Sequence, residues 1–319
     1  MLTFKKSILT LLLLSLCGAD LYASPKRKRR RVIASDSEHS ASEYTFQIGP
    51  YDPSSPDLYK LSRSRLELFL DCPLCFYLLC RLGIKRPSTY PYTLNLEVDR
   101  SLKNKFDKYR LSQTIPKLLE QNGIHAKPFE HLMIPKWRDS LNHGIRYVIP
   151  GTNIMFYGGI DDIWVNMEKK DVIELIVVDY KATAKNQETF TLKDLPPEYF
   201  RQVEMYQWLF RQNGFTVSNT AYFVYCNGRG NSDDSDDIEL IFYPTLISYE
   251  GNDSWVTPKI MEVHKCLQSD ELPCSSEKCE HCKRYAAILR INKERLVSHE
   301  TQTDSPELIL CEAHADKSV

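Results

Sequence analysis

The sequence predicts an α/β fold, and three observations carry that expectation. Residues 154–183, IMFYGGIDDIWVNMEKKDVIELIVVDYKAT, hold two apolar, β-rich runs joined by a charged turn. Two further aromatic and β-branched runs follow at 216–227 and 238–247. Around them, the stretches 60–84, 93–110 and 197–213 repeat apolar residues at helical spacing. With 319 residues, 42% apolar and 11% aromatic, the chain is globular for most of its length and can build one large core or two small ones. Its 41 basic and 42 acidic residues leave a net charge of -1, so any basic groove must be local.

The first 56 residues read as a leader rather than as fold. Residues 1–23 place Lys5 and Lys6 before an apolar run from Ile8 to Cys17 and a small residue at Ala23, the layout of a secretory signal peptide. That run is too short to span a bilayer comfortably, so no stable membrane anchor is expected. Export from a bacterium is the expected localisation, with the cytoplasm as alternative. Lys26 to Arg31 are consecutive basic residues that resemble a nuclear-import address or an electrostatic nucleic-acid arm, with a solvated tail as the plain alternative. The acidic, serine-rich stretch 33–43 completes a segment, 24–56, expected to be disordered. The folded domain is expected at 57–297, followed by a polar tail at 298–319.

Within the domain, 60–84 offers Ser62 or Ser64 as a helix cap and Gly83 as a stop, while Pro73 predicts a kink or two helices. Arg63, Arg65, Lys85 and Arg86 near its ends are candidate phosphate contacts or a solvated face. Leu94, Val98, Leu102 and Phe106 mark the apolar face of the next helix. His125 and His131 fall in a loop-rich stretch and take no role. The polar run 183–197 is expected to border a cleft, and Gly214 to end the helix at 197–213.

The chemistry gathers on the central hairpin. A turn at Lys169, Lys170 and Asp171 pairs residues whose numbers sum to 340, which sets Asp161 opposite Asp179. Lys181, two residues on, shares that face. Two carboxylates held this close repel unless a cation sits between them, and a hard divalent ion, Mg²⁺ or Mn²⁺, suits their oxygens. With Lys181 to stabilise charge on phosphorus or to orient water, the expected reaction is phosphodiester hydrolysis.

These motifs resemble a family. GGID at 158–161 followed by VVDYK at 177–181 is similar to the metal-binding core of the PD-(D/E)xK nucleases, in particular the RecB-like branch, which writes GxxD and then DYK. RQVEMYQWLF at 201–210 resembles that branch's QxxxY helix, with Gln202 and Tyr206 on one face. KLSRSRLELFLDCPLCFYL, from residue 60, resembles its opening helix. The resemblance implies a central mixed sheet flanked by helices, a restriction-endonuclease-like core. It implies Asp161 and Asp179 as metal ligands, Lys181 as a catalytic residue, and Gln202 and Tyr206 as residues that position the strand, Tyr206 also offering a ring for base stacking. It further implies an acid from the 93–110 helix, Asp99 or Glu97, beside the metal, although an exposed helical acid is the plain alternative. The function expected is a divalent-metal-dependent nuclease acting on nucleic acid, DNA foremost, in an exonuclease-like manner. The alternatives are a nucleic-acid-binding module or a host-directed exported effector that keeps the fold with little catalysis.

Cys72 and Cys75 form one CxxC pair and Cys279 and Cys282 another, from opposite ends of the domain. Two such pairs complete a tetrahedral thiolate site, against disulfides or buried free thiols as alternatives. Some RecB-like nucleases hold a four-iron four-sulfur cluster with one early and several late cysteines. The resemblance therefore implies such a cluster, with Cys274 able to replace Cys75, and zinc as the alternative.

Overall fold

The computed structural model describes residues 44–87, 93–231 and 239–297. The expected signal peptide, the basic run, the acidic stretch up to residue 43 and the tail from 298 lie outside the described residues. So do residues 88–92 and the acidic stretch 232–238. Among the described residues no helix is long and apolar enough to cross a membrane.

The chain folds as mixed sheets flanked by helices, as the sequence predicts. In order it forms β1 (Tyr59–Ser62), α1 (Arg63–Asp71), α2 (Pro73–Cys80), α3 (Thr93–Ser112), α4 (Lys117–Glu120), β2 (Ala126–Pro128), α5 (Ile134–Arg138), β3 (Ile145–Val148) and β4 (Ile154–Gly158). Then come β5 (Asp162–Asn166), β6 (Glu174–Thr183), α6 (Pro197–Gln212), β7 (Thr216–Val217), β8 (Thr220–Asn231), β9 (Glu239–Glu250), α7 (Val256–Gln268) and α8 (Glu280–Val297).

There are two sheets where one was expected. The smaller runs β1-β4-β3 and the larger β2-β5-β6-β8-β9, with β7 on the flank of β6. The break falls at residues 159–161, where the apolar run 154–166 turns a corner and passes from one sheet to the other. The corner is tight. A Cβ on Gly159 would lie 2.5 Å from Cβ of Ser140, and one on Gly158 would lie 2.7 Å from the Tyr206 ring. Both glycines are there because other chain segments occupy the space a side chain needs.

β6 is buried on both faces, which is why it reads as a near-continuous apolar run. Leu175 and Val177 pack with Val203, Leu209 and Phe210 of α6 and with Val256 and Ile260 of α7. Ile176, Val178 and Tyr180 pack on the opposite side with Val98, Leu102 and Phe106 of α3. α3 and α6 therefore sandwich the strand that carries Asp179 and Lys181. Pro73 divides the first helical stretch into α1 and α2, and Ser62 caps α1 by accepting from the Arg65 N–H at 3.3 Å. Glu67 accepts from Arg201 Nε at 3.1 Å, tying α1 to α6.

The expected disordered region 24–56 needs correction over 44–56. Phe46 bridges Leu58 in a parallel pairing. Tyr51 is 1% exposed, and its hydroxyl donates to Asn153 Oδ1 at 2.8 Å and accepts from Gln268 Nε2 at 2.5 Å. Polar residues surround these two aromatics in sequence, so composition alone hides the anchor.

Candidate active site and cysteine centre

The hairpin of β5 and β6 has the predicted register. Asp162 pairs with Val178 and Ile163 with Val177, so Asp161, one residue ahead of the ladder, comes opposite Asp179. The Tyr180 N–H donates to Asp161 Oδ2 at 2.9 Å, which pins that carboxylate across the strand. Asp179 is fully buried, and the Lys181 ammonium forms an ion pair with its Oδ2. That oxygen still accepts no directed hydrogen bond.

α6 closes the cluster from one side. Gln202 Nε2 donates to Asp179 Oδ1 at 2.7 Å, and Gln202 Oε1 accepts from Lys181 Nζ at 3.2 Å. The amide thus fixes an acid and a lysine at once. Tyr206, one turn later, donates its hydroxyl to the Gly159 carbonyl at 2.6 Å. GxxD and QxxxY are therefore two halves of one joint: the tyrosine fills the space left by Gly158 and holds the corner that presents Asp161. The expected base-stacking role of Tyr206 does not fit this arrangement, because the ring is 2% exposed and faces protein. Tyr199, a half-buried ring beneath the Lys181 ammonium at 4.5 Å, is the aromatic nearer to solvent.

α3 closes the other side and separates the two acids offered for it. Asp99 points in: Lys103 Nζ lies 2.7 Å from Asp99 Oδ2 and 3.3 Å from Asp161 Oδ1. Glu97 points out and pairs with Arg100 at 2.7 Å. Sequence reasoning missed Lys103. Its signal is positional, since Asp99 and Lys103 each follow a residue of the apolar stripe by one and so stand at the edge of the buried face. A cavity of about 180 Å³ beside the cluster is lined by Asn95, Asp99, Tyr180, Lys181 and Tyr199, with apolar Val98, Leu102 and Ala182.

The protonation of the acids follows from this packing. Burial pushes Asp179 up to about 7, with the Lys181 ammonium pulling against it and the Asp161 charge adding to it. Burial acts on Asp161 in the same direction, but Lys103, Lys181 and the Tyr180 N–H outweigh it and hold its pKa below the ordinary carboxylate value. Asp99 is raised by burial and by Asp161.

Beneath the site lies a second acid that the sequence reading passed over. Asp162 is fully buried and paired with Arg110, with Arg138 at 3.3 Å, and it accepts from the Tyr180 hydroxyl at 2.7 Å. Arg138 also donates from Nε to the Asp161 carbonyl at 2.9 Å, so this network braces the corner from below. Of the basic residues near the ends of α1 and α2, Arg65 donates to the Tyr59 hydroxyl and the Lys60 carbonyl, and Arg86 pairs with Asp71. Both act in the fold. Arg63 lies near Gly158 and Tyr206, on the site side of α1.

The four cysteines meet at the far end of α1. Sγ atoms of Cys72, Cys75, Cys279 and Cys282 lie within 4.8 Å of one another and could hold a metal ion. Cys274 is not among them, so it does not replace Cys75. Each pair straddles a helix start: Cys72 caps α2 with Cys75 in its first turn, and Cys279 precedes α8 with Cys282 in its first turn. Helix N-termini favour thiolates through their free N–H groups and dipole. The Ser276 N–H donates to Cys72 Sγ at 3.4 Å and Arg86 donates to Cys279 Sγ at 3.4 Å. Burial pushes Cys75 up to about 11, so a cation is what would hold all four as thiolates at neutral pH.

Comparison with protein-family models and with curated proteins finds no match to this chain.

Proposed function

We propose that this protein is a divalent-metal-dependent nuclease of the PD-(D/E)xK type, similar to the RecB-like branch, with DNA as its foremost substrate and exonuclease-like cleavage. The observation that carries the reading is the convergence of Asp161, Asp179 and Lys181 on one spot, locked by Gln202. A pair of carboxylates, with the Oδ2 of Asp179 met by the Lys181 ammonium alone among directed partners, fits a hard cation. Asp161 and Asp179 would hold Mg²⁺ or Mn²⁺, with Asp99 within reach of the same place. When bound, such an ion polarises the phosphodiester and acidifies water.

The remaining work falls to the chain. Lys181 keeps its proton, since Asp179 and Asp161 outweigh the burial that acts against its charge. Its ammonium can then orient the attacking water or offset charge gathering on the phosphate oxygens. Gln202 holds Lys181 and Asp179 at a fixed separation, which supplies the preorganisation such stabilisation requires. Tyr206 positions Asp161 through the Gly159 carbonyl and touches no substrate. Arg63 is placed to meet a phosphate farther along the strand.

At the cysteines the geometry favours one zinc ion over an iron–sulfur cluster. Sulfurs around zinc at about 2.3 Å stand about 3.8 Å apart at the edges of a tetrahedron. Three of the six sulfur separations are 3.7 Å for Cys72 to Cys282, 3.6 Å for Cys75 to Cys279 and 3.5 Å for Cys75 to Cys282, and all four sulfurs lie within 4.8 Å of one another. A four-iron cluster bonds each thiolate to a different iron and spreads the sulfurs by its own breadth. The zinc would staple α8 to α1 and α2. Metal analysis of anaerobically purified protein should return one zinc per chain and no visible iron–sulfur absorption.

The test of activity is cleavage of end-labelled single-stranded DNA, duplex DNA and RNA with Mg²⁺ or Mn²⁺. Wild type should cut, and Asp179→Ala should lower the rate by about 10³-fold or more while DNA binding persists. Binding without cutting on any of the three substrates would instead support a module with the nuclease fold and little catalysis.

A further inference from the structure

The electrostatics of the carboxylate cluster assign a task to Lys103. Three acids, Asp99, Asp161 and Asp179, face two ammoniums, Lys103 and Lys181, which leaves a formal charge of one negative. A divalent ion would bring the cluster to one positive, with two ammoniums crowding the metal. One of them must withdraw. Lys181 is tied from three sides, by Asp179, by the Gln202 carbonyl oxygen at 3.2 Å and by the Tyr199 ring at 4.5 Å. Lys103 is held only by the carboxylates themselves, Asp99 at 2.7 Å and Asp161 at 3.3 Å, on a flexible stem whose side chain keeps 21% of its surface exposed. The other two cations of α3 with a carboxylate partner are committed elsewhere, Arg100 to Glu97 and Arg110 to Asp162. Lys103 therefore competes with a metal for Asp161 and is free to move once it loses.

We propose that Lys103 is a built-in counter-ion that gives up Asp161 when a divalent ion binds and then grips a phosphate of the incoming strand. This rests on the nuclease reading given above. A phosphodiester carries one negative charge, so the strand restores the neutrality that the metal disturbs, and the displaced ammonium is already at the wall of the cleft. The ligand of Lys103 in this second position is a backbone phosphate, read without regard to base. Lys103 is a positioning residue for metal and strand, and it takes no part in bond cleavage.

Two binding readouts test this without reference to turnover. In the first, Mn²⁺ is titrated into wild type, Lys103→Met and Lys103→Arg. Removing the competing ammonium should tighten Mn²⁺ about tenfold, and arginine should return the wild-type value. In the second, binding of a single-stranded oligonucleotide in Ca²⁺ is followed against salt. The slope of log affinity on log salt should fall by about 0.7 in Lys103→Met and recover in Lys103→Arg. A merely structural lysine would change the melting temperature and neither of these. Should Lys103→Met fail to fold, Lys103→Gln serves in both measurements. Equal Mn²⁺ affinity in wild type and the methionine variant overturns the proposal, as does a tightened metal with an unchanged salt slope. If wild type itself binds no Mn²⁺ through Asp161, the nuclease reading fails first, and the two failures are told apart by that control.

Discussion

The molecule has two candidate ion sites, and they solve the same electrostatic problem in opposite ways. At the carboxylate cluster, buried acids are offset by the chain's own lysines, Lys103 and Lys181, so the site is close to neutral before any ion enters. At the cysteine centre the four sulfurs touch mainly one another, with two weak N–H donors from Ser276 and Arg86. The first could hold its shape while an ion comes and goes, which the proposed catalysis would require. The second has no such internal counter-charge, so an ion held there would join segments 203 residues apart, as a staple does.

The contrast breaks most visibly at the staple. Cys279→Ser should lose the proposed zinc and lower the melting temperature by about 10 °C or more, because α8 would be released from α1 and α2. Cleavage at permissive temperature should remain, since the carboxylates rest on other elements. Thermal melting with metal analysis checks this, and an unchanged melting temperature would mean that the cysteines carry no structural ion.

A smaller effect is expected at the joint that serves the carboxylates. In Gly158→Ala the new methyl would lie 2.7 Å from the Tyr206 ring, and the ring must move. The cost is about 1–3 kcal/mol in stability, and the hydroxyl would leave the Gly159 carbonyl, displacing Asp161. Denaturant unfolding and Mn²⁺ affinity should fall together, whereas a stable variant with weakened Mn²⁺ binding would place the joint's role in positioning alone.

The smallest effect is a slope. Asp179 is raised from 3.8 to about 7, so below pH 4 both folded and unfolded chains keep its proton and it contributes nothing to the pH dependence. As pH rises from about 4 to about 7 the unfolded chain releases the proton first, and this group subtracts stability; above 7 the loss is complete. Asp161, held low, acts in the opposite sense and only below pH 4, where stability is lost as it protonates. Without added divalent ion, melting temperature should therefore fall more steeply between pH 4 and 7 in wild type than in Asp179→Asn. Identical slopes would show that Asp179 titrates normally.

Much of the site was legible because it is local. A short charged turn fixes the hairpin register, so two acids eighteen residues apart fall opposite each other by counting. The cysteine pairs were legible because their spacing suits one metal face. Other features depend on distant segments that no local pattern records. Ser140 and Tyr206 dictate the glycines at the sheet-to-sheet corner, and Tyr206 turns inward because Gly158 gives it room. Phe46 and Tyr51 anchor a stretch whose neighbours are polar. Lys103 stands at the edge of the buried face of α3, and the packing of α3 over β6 brings it to Asp161. Asp162 was hidden by its neighbour: in the pair Asp161–Asp162 the motif draws the eye to the first acid, while the second is the one fully buried among arginines.

The central claim is that Asp161 and Asp179 share one divalent ion, and Mn²⁺ titration of three proteins tests it most directly. Wild type and Cys279→Ser should bind one Mn²⁺ with the same affinity, and Asp161→Asn should bind it about 100-fold more weakly or not at all. Undiminished Mn²⁺ binding by Asp161→Asn would contradict the account.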